Sequence, residues 1–222
     1  MKLRVIITGA TGMVGEGVLH ECLLDSRVEE VLVINRKSCG VHHPKLKEIL
    51  FANFMDISPI EENLHPYNAC FFCLGVSSIG IKEAEYTKLT YNLTVSFAEI
   101  LAKHNPDMTF CYVSGSGTDS TEKGKSMWAR VKGRTENTLF ILPFKRIFAF
   151  RPGYMKPTHG LKNTLKFYAG SSIFYPLLHF LFPNHVSTLK DVGTAMINCA
   201  LYGYQKSVLE VKDINSAATM KM

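Results

Sequence analysis

Leu3-Arg4-Val5-Ile6-Ile7-Thr8-Gly9-Ala10-Thr11-Gly12-Met13-Val14-Gly15 decides the reading of this chain. The first half is a short, β-branched, apolar run, which suits a strand buried on both faces. The second half is a glycine turn, and apolar residues at helical spacing follow it at Val18, Leu19, Cys22 and Leu23. Strand, glycine turn and helix N-terminus together suit a dinucleotide pyrophosphate. Gly9 takes the tight turn, Gly12 keeps side chains away from the phosphates, and Gly15 lets the helix lie close on the strand. Gly9, Thr11, Gly12, Met13, Val14 and Gly15 are therefore the candidate phosphate contacts.

Outward from this stretch, strands alternate with helices. Strands are expected near 3–8, 31–34, 47–51, 69–74, 109–113 and 146–150, and helices near 13–25, 83–104 and 123–141. That alternation predicts right-handed crossovers and an α/β, doubly wound parallel sheet, a Rossmann fold. The 222 residues fit one domain, 1–222, with 154–187 inserted as a substrate region or lid. Residues 165–183 are rich in Phe, Leu and Tyr but are interrupted by Gly170, Pro176 and other polar or small residues. They are expected to form a pair of short amphipathic helices over a pocket for an apolar or planar small molecule, with an interfacial membrane contact or a dimer face as the competing reading. Ser187 or Thr188 should cap the last long helix, and 215–222 should be a loose tail.

Bulk properties narrow the function. The net charge of +6 is mildly basic, but the cations are spread along the chain, which argues against a nucleic-acid partner. No apolar run is long enough for a transmembrane segment, and none resembles a signal peptide. Six cysteines fall largely in apolar patterns and point to a reducing cytoplasm. Cys70 and Cys73, three apart on a strand, face opposite ways and suit neither a disulfide nor a metal. No metal site is expected, and the chain is read as a monomer or homodimer.

Strand two runs into Asn35-Arg36-Lys37. An acidic residue near this point favours NAD through the ribose 2′-hydroxyl, whereas a cation accommodates a 2′-phosphate. With Arg36 and Lys37 present and no acid, NADP(H) is favoured over NAD(H).

The G-x-x-G-x-x-G spacing resembles the short-chain dehydrogenase/reductase superfamily, particularly its extended and atypical members. Cys73-Leu74-Gly75, Lys132-Gly133 and Phe150-Arg151-Pro152-Gly153 extend the resemblance over most of the chain. The combination is similar to atypical members related to the Tat-interacting oxidoreductase and to epimerase/dehydratase-like proteins. The resemblance implies that Leu74 and Gly75 pass the cofactor's ribose and phosphates, and that Arg151, Pro152 and Gly153 lie at the cofactor edge. It implies an adenine contact from Asn53 or Asp56, with Asn53 ranked first and Phe54 beside it. It also makes Asn92 a candidate support for the active-site lysine.

The superfamily's catalytic set is a Ser after strand five and a Tyr-x-x-x-Lys on the next helix. Here Lys132 fits the lysine, able to act in catalysis and to hold the nicotinamide ribose, but Trp128 stands in place of the tyrosine. The usual serine position falls on Gly115, leaving Ser114 and Ser116 as substitutes. An indole donates a hydrogen bond but exchanges no proton near neutral pH. Two functions follow as expectations: an oxidoreductase or epimerase-like enzyme with another proton donor, or an inactive NADP(H)-binding sensor or scaffold.

Overall fold

The computed structural model describes residues 2–163 and 175–220, except for the side chain of His179. β1 (Leu3–Thr8), β2 (Val28–Asn35), β3 (Leu46–Leu50), β4 (Ala69–Phe72), β5 (Thr109–Val113), β6 (Arg146–Arg151) and β9 (Val208–Glu210) form one seven-stranded sheet in the order β3-β2-β1-β4-β5-β6-β9. Every pairing in it is parallel. The order runs one way from β1 to β3 and the other way from β4 outward, so the carboxyl ends of β1 and β4 flank a switch point where α/β sheets bind ligands.

Both faces are covered, which is why the strands read as continuous apolar runs. On one face, Val5, Ile7, Val31, Val33 and Phe71 pack under α1 (Met13–Leu24), α6 (Leu189–Tyr202) and α7 (Val211–Ala218). On the other, Ile6, Leu32, Ile34, Phe72 and Phe110 meet Phe97, Ala98 and Leu101 of α3 (Leu93–His104). Cys70 belongs to the second cluster and Cys73 packs against the first, as strand parity requires. All six cysteines are free thiols.

The helix expected near 83–104 is α2 (Glu83–Thr87), a π turn (Lys88–Asn92) and α3 in continuous succession. The helix expected near 123–141 is shorter, α4 (Met127–Leu139). Thr188, not Ser187, caps α6: its hydroxyl accepts the Asp191 amide while the Asp191 carboxylate accepts the Thr188 amide, a reciprocal box.

One expectation is corrected. The loose tail is instead the helix α7 through Ala218, with Ile214 and Ala217 buried against the core. Of the pair of helices expected within 165–183, the described residues contain α5 (Tyr175–Leu181), and 165–174 lie outside the described residues. A short parallel ribbon, β7 (Tyr154–Lys156) on β8 (Val186–Thr188), joins the ends of that region and had no counterpart in the sequence reading. Among the described residues no helix is long and apolar enough to cross a membrane.

Candidate functional site

At the end of β1, Gly9 has φ +72°, where a side chain would be strained. A Cβ there would also lie 2.8 Å from the main chain of Cys73 and Leu74 at the end of β4. A Cβ on Gly15 would sit 2.2 Å from the Gly9 carbonyl oxygen. Two glycines thus let β1, β4 and α1 converge. The Gly12 amide donates to the Gly9 carbonyl at 2.9 Å, and the Ala10 amide to Asn35 Oδ1 at 3.2 Å, fixing the turn to the end of β2. Gly12 is the N-cap of α1 and brings no side chain to its first amides, so that end of the helix is left to an anion.

Beside the turn lies a cleft of about 460 Å³, lined by Gly9, Thr11, Asn35, Arg36, Lys37, Ser38, Phe54 and Leu74. It spans the carboxyl ends of β1, β2 and β4. Arg36 and Lys37 are exposed, with no ion pair among the described residues, and no Asp or Glu lines the cleft. Glu48 on β3 shapes its outer loop by accepting the Ser38 hydroxyl at 2.6 Å and the Cys39 amide at 2.8 Å. Phe54 is buried and offers an apolar wall. Asn53 is exposed and turned to its own loop, its Oδ1 accepting the Met55 amide. Asp56 is spent on Ser58 in the same way. Gly75 stands in open space beyond β4. An uncapped helix end, a side-chain-free turn, two cations and an apolar wall fit a dinucleotide's pyrophosphate and adenosine.

After β5 the candidate catalytic residues come together, but not as equals. Ser114 is buried, and its hydroxyl lies 2.5 Å from Glu136 Oε1 on α4. The same carboxylate takes Arg151 from β6, at 3.0 Å from Nε and 2.5 Å from Nη2. Arg151 also reaches Glu210 and Ser120. Burial opposes the Arg151 charge, but the Glu136 carboxylate holds its pKa above the ordinary value. The guanidinium is therefore bound to protein carboxylates. Pro152 is buried, and Gly153 is packed so closely that a Cβ would lie 2.5 Å from the His185 carbonyl. Glu136, the centre of this network, is not among the residues the sequence singles out, because its partners Ser114 and Arg151 stand on other elements.

Lys132 is half-buried one turn before Glu136 on α4, and its Nζ donates to the Ser114 carbonyl. Burial drives its pKa down to about 8, against the pull of Glu136. Trp128 is half-buried one turn earlier still, with its ring over the loop after β5: a Cβ on Gly117 would touch it at 3.5 Å. Gly133 seats α4 on the Asp119 carbonyl, with no room for a Cβ. Ser116 is exposed, and its amide donates to Pro152. Asn92 is exposed in the π turn. Tyr112 is buried with its pKa raised by burial, and Tyr86 is likewise raised by burial.

Residues 5–131 match the NAD dependent epimerase/dehydratase family. Leucinostatins biosynthesis cluster protein T of Purpureocillium lilacinum is 28% identical over 153 residues, 65% of this chain and 55% of that protein. The mitochondrial protein FMP52 of Meyerozyma guilliermondii is 22% identical over 228 residues, 99% of this chain and 94% of that one. The chain thus spans about half the length of the first relative and nearly all of the second. A UDP-N-acetylglucosamine 4-epimerase from Methanobrevibacter ruminantium M1, in complex with UDP-N-acetylmuramic acid, superposes with TM-score 0.65 at 16% identity, covering 97% of this chain and 81% of that one. The enzyme WbmG of Bordetella bronchiseptica, in complex with NAD, gives TM-score 0.67 at 12% identity, over 98% and 77% of the two chains. These likenesses establish the fold.

Proposed function

Since the chain belongs to the NAD-dependent epimerase/dehydratase family, we propose that it is an NADP(H)-dependent oxidoreductase or epimerase-like enzyme acting on a small molecule. The observation that carries this reading is the cleft beside the glycine turn, where Arg36 and Lys37 stand free of carboxylates. The main-chain amides of Thr11, Met13, Val14 and Gly15, with the bare Gly12 between them, meet the pyrophosphate, and Arg36 with Lys37 meets the 2′-phosphate. Phe54 packs on the adenine with Asn53 at its edge, and Leu74 and Gly75 pass the ribose. Lys132 holds the nicotinamide ribose, while Trp128 and Ser116 face the substrate. Ser114, Arg151, Pro152 and Gly153 support the site from behind through Glu136 and the β7–β8 ribbon. When bound, the dinucleotide supplies or accepts a hydride.

Residues 154–187 form the substrate region of a single domain, and the aromatic side chains there favour an apolar or planar substrate. The free thiols favour a reducing compartment, the cytoplasm; the relative named mitochondrial makes that organelle the alternative. The enzyme is read as a monomer or homodimer with no nucleic-acid partner.

The test is NADPH oxidation against a panel of aldehydes, ketones, quinones and nucleotide sugars. At least one should be turned over, and Lys132→Ala should abolish it. A second reading is favoured by one observation, that Glu136 ties up the Ser114 hydroxyl, taken with the resemblance that puts Trp128 at the tyrosine position. A sensor or scaffold would bind NADPH tightly and turn over nothing in the panel.

A further inference from the structure

The site holds a half-buried lysine and, where the resemblance expects a tyrosine, an indole. Four hydroxyls among the described residues, those of Ser114, Tyr112, Tyr86 and Ser116, are poorer candidates for proton exchange. The Ser114 proton is directed at Glu136. The Tyr112 and Tyr86 phenols are buried, Tyr112 against Phe72 on the sheet face that packs on α3, and burial makes each a weaker acid than usual. Ser116 is exposed, with no group among the described residues to take its proton. Lys132 differs from all of these. Its Nζ lies at the carboxyl end of β5, half-buried, bonded to a main-chain carbonyl rather than a carboxylate. An ammonium carries three protons, so a bond to the Ser114 carbonyl leaves two for other acceptors.

We propose that the Lys132 amine is itself the acid–base group of this site, exchanging a proton directly with the substrate oxygen. This rests on the reading of the chain as a nicotinamide-dependent enzyme. In the reducing direction, a hydride from the reduced dinucleotide adds to the carbonyl carbon and the C=O π pair moves onto oxygen. That oxygen takes a proton from the Lys132 ammonium. The carbonyl is reduced, the dinucleotide is oxidised, and Nζ is left as a neutral amine that regains its proton from water.

The charges around α4 favour this use. Glu136, on the same helix, is held by Arg151 from β6 and by Ser114 from the end of β5. From α2, Glu83 is paired with Arg130. From the π turn, Tyr91 lies under the Arg134 guanidinium at 4.3 Å. The Tyr112 and Tyr86 phenols stay neutral. No unpaired carboxylate faces Lys132 among the described residues to hold the ammonium in place, and burial leaves it with a pKa of about 8, matched to proton exchange near neutral pH. Trp128, over Gly115 and Gly117, then serves as an apolar wall that keeps this amine from full hydration.

The test pairs a measurement on the unmodified protein with one variant. Acetylation of Lys132 by acetic anhydride is followed against pH by peptide mass spectrometry, giving the amine pKa without turnover. NADPH affinity and phenanthrenequinone reduction are measured for wild type and Lys132→Arg, which keeps the charge but cannot give up its proton. Expected are an acetylation midpoint near 8 and, at NADPH concentrations that saturate each protein, reduction slowed by about 100-fold or more in Lys132→Arg. A midpoint above 10, or Lys132→Arg that reduces the quinone at the wild-type rate, overturns the proposal and leaves the enzyme reading standing. Wild type that binds NADPH but reduces neither quinone nor any carbonyl overturns the enzyme reading, and the proposal with it.

Discussion

Lys132 and Arg151 reach the same corner of the molecule from α4 and β6, and they are held in opposite ways. Arg151 has Glu136 and Glu210 as partners; Lys132 has a carbonyl. The difference follows from Glu136, whose carboxylate is fully buried and can satisfy one guanidinium fork and one hydroxyl. Neutralising it leaves Arg151 buried without its main counter-charge. Glu136→Gln is therefore expected to cost about 3 kcal/mol, seen as a Tm lowered by roughly 6–12 °C in calorimetry. An unchanged Tm would mean that Glu210 and water replace the lost pair. None of this was legible from Ser114 or Arg151 alone. A hydroxyl after strand five reads as catalytic until its partner, 22 residues away on a helix, is seen to claim it.

At the scale of elements, one carboxylate ties the sheet edge together. Glu30 on β2 takes Arg4 of β1 at 3.0 Å, Lys47 of β3 at 2.8 Å and the Tyr67 hydroxyl ahead of β4 at 2.6 Å. Burial works against its charge, but the Lys47, Tyr67 and Arg4 contacts bring its pKa down from 4.5 to about 2. A carboxyl depressed by folding gives stability that is present above its unfolded pKa and lost as pH falls through the folded one. Urea midpoints of wild type should thus fall between pH 4.5 and 2 more steeply than those of Glu30→Gln. At pH 7 the variant should be the less stable by about 1 kcal/mol, solvent screening having reduced the effect. Parallel curves would show that Glu30 adds nothing.

The strands and long helices were legible because burial on both faces imposes a pattern that local sequence carries. α7 was not. Its apolar set of Val211, Ile214 and Ala217 is three residues long and gains meaning only when α6 is beside it, with Asn198 Nδ2 donating to the Ala217 carbonyl at 2.8 Å. β7 and β8 pair Tyr154 with Val186 across the chain, a contact that no local pattern announces. The π turn breaks the helical period by one residue within a helix that otherwise reads as regular.

For the whole molecule, the order β3-β2-β1-β4-β5-β6-β9 gathers the glycine turn, the Arg36 loop and Leu74 at one edge of the sheet, though they are far apart in the chain. The glycine turn was legible from sequence because its geometry depends on backbone alone, with Gly9 at positive φ and no room for a Cβ on Gly9 or Gly15. The cofactor choice rests on charge in the cleft, and titration of the purified protein with NADPH and NADH, followed by Trp128 fluorescence, decides it. NADPH should bind at least about tenfold more tightly, and Arg36→Asp should erase that preference while the fold, read by circular dichroism, stays intact. Equal affinities, or a preference for NADH, would contradict the account.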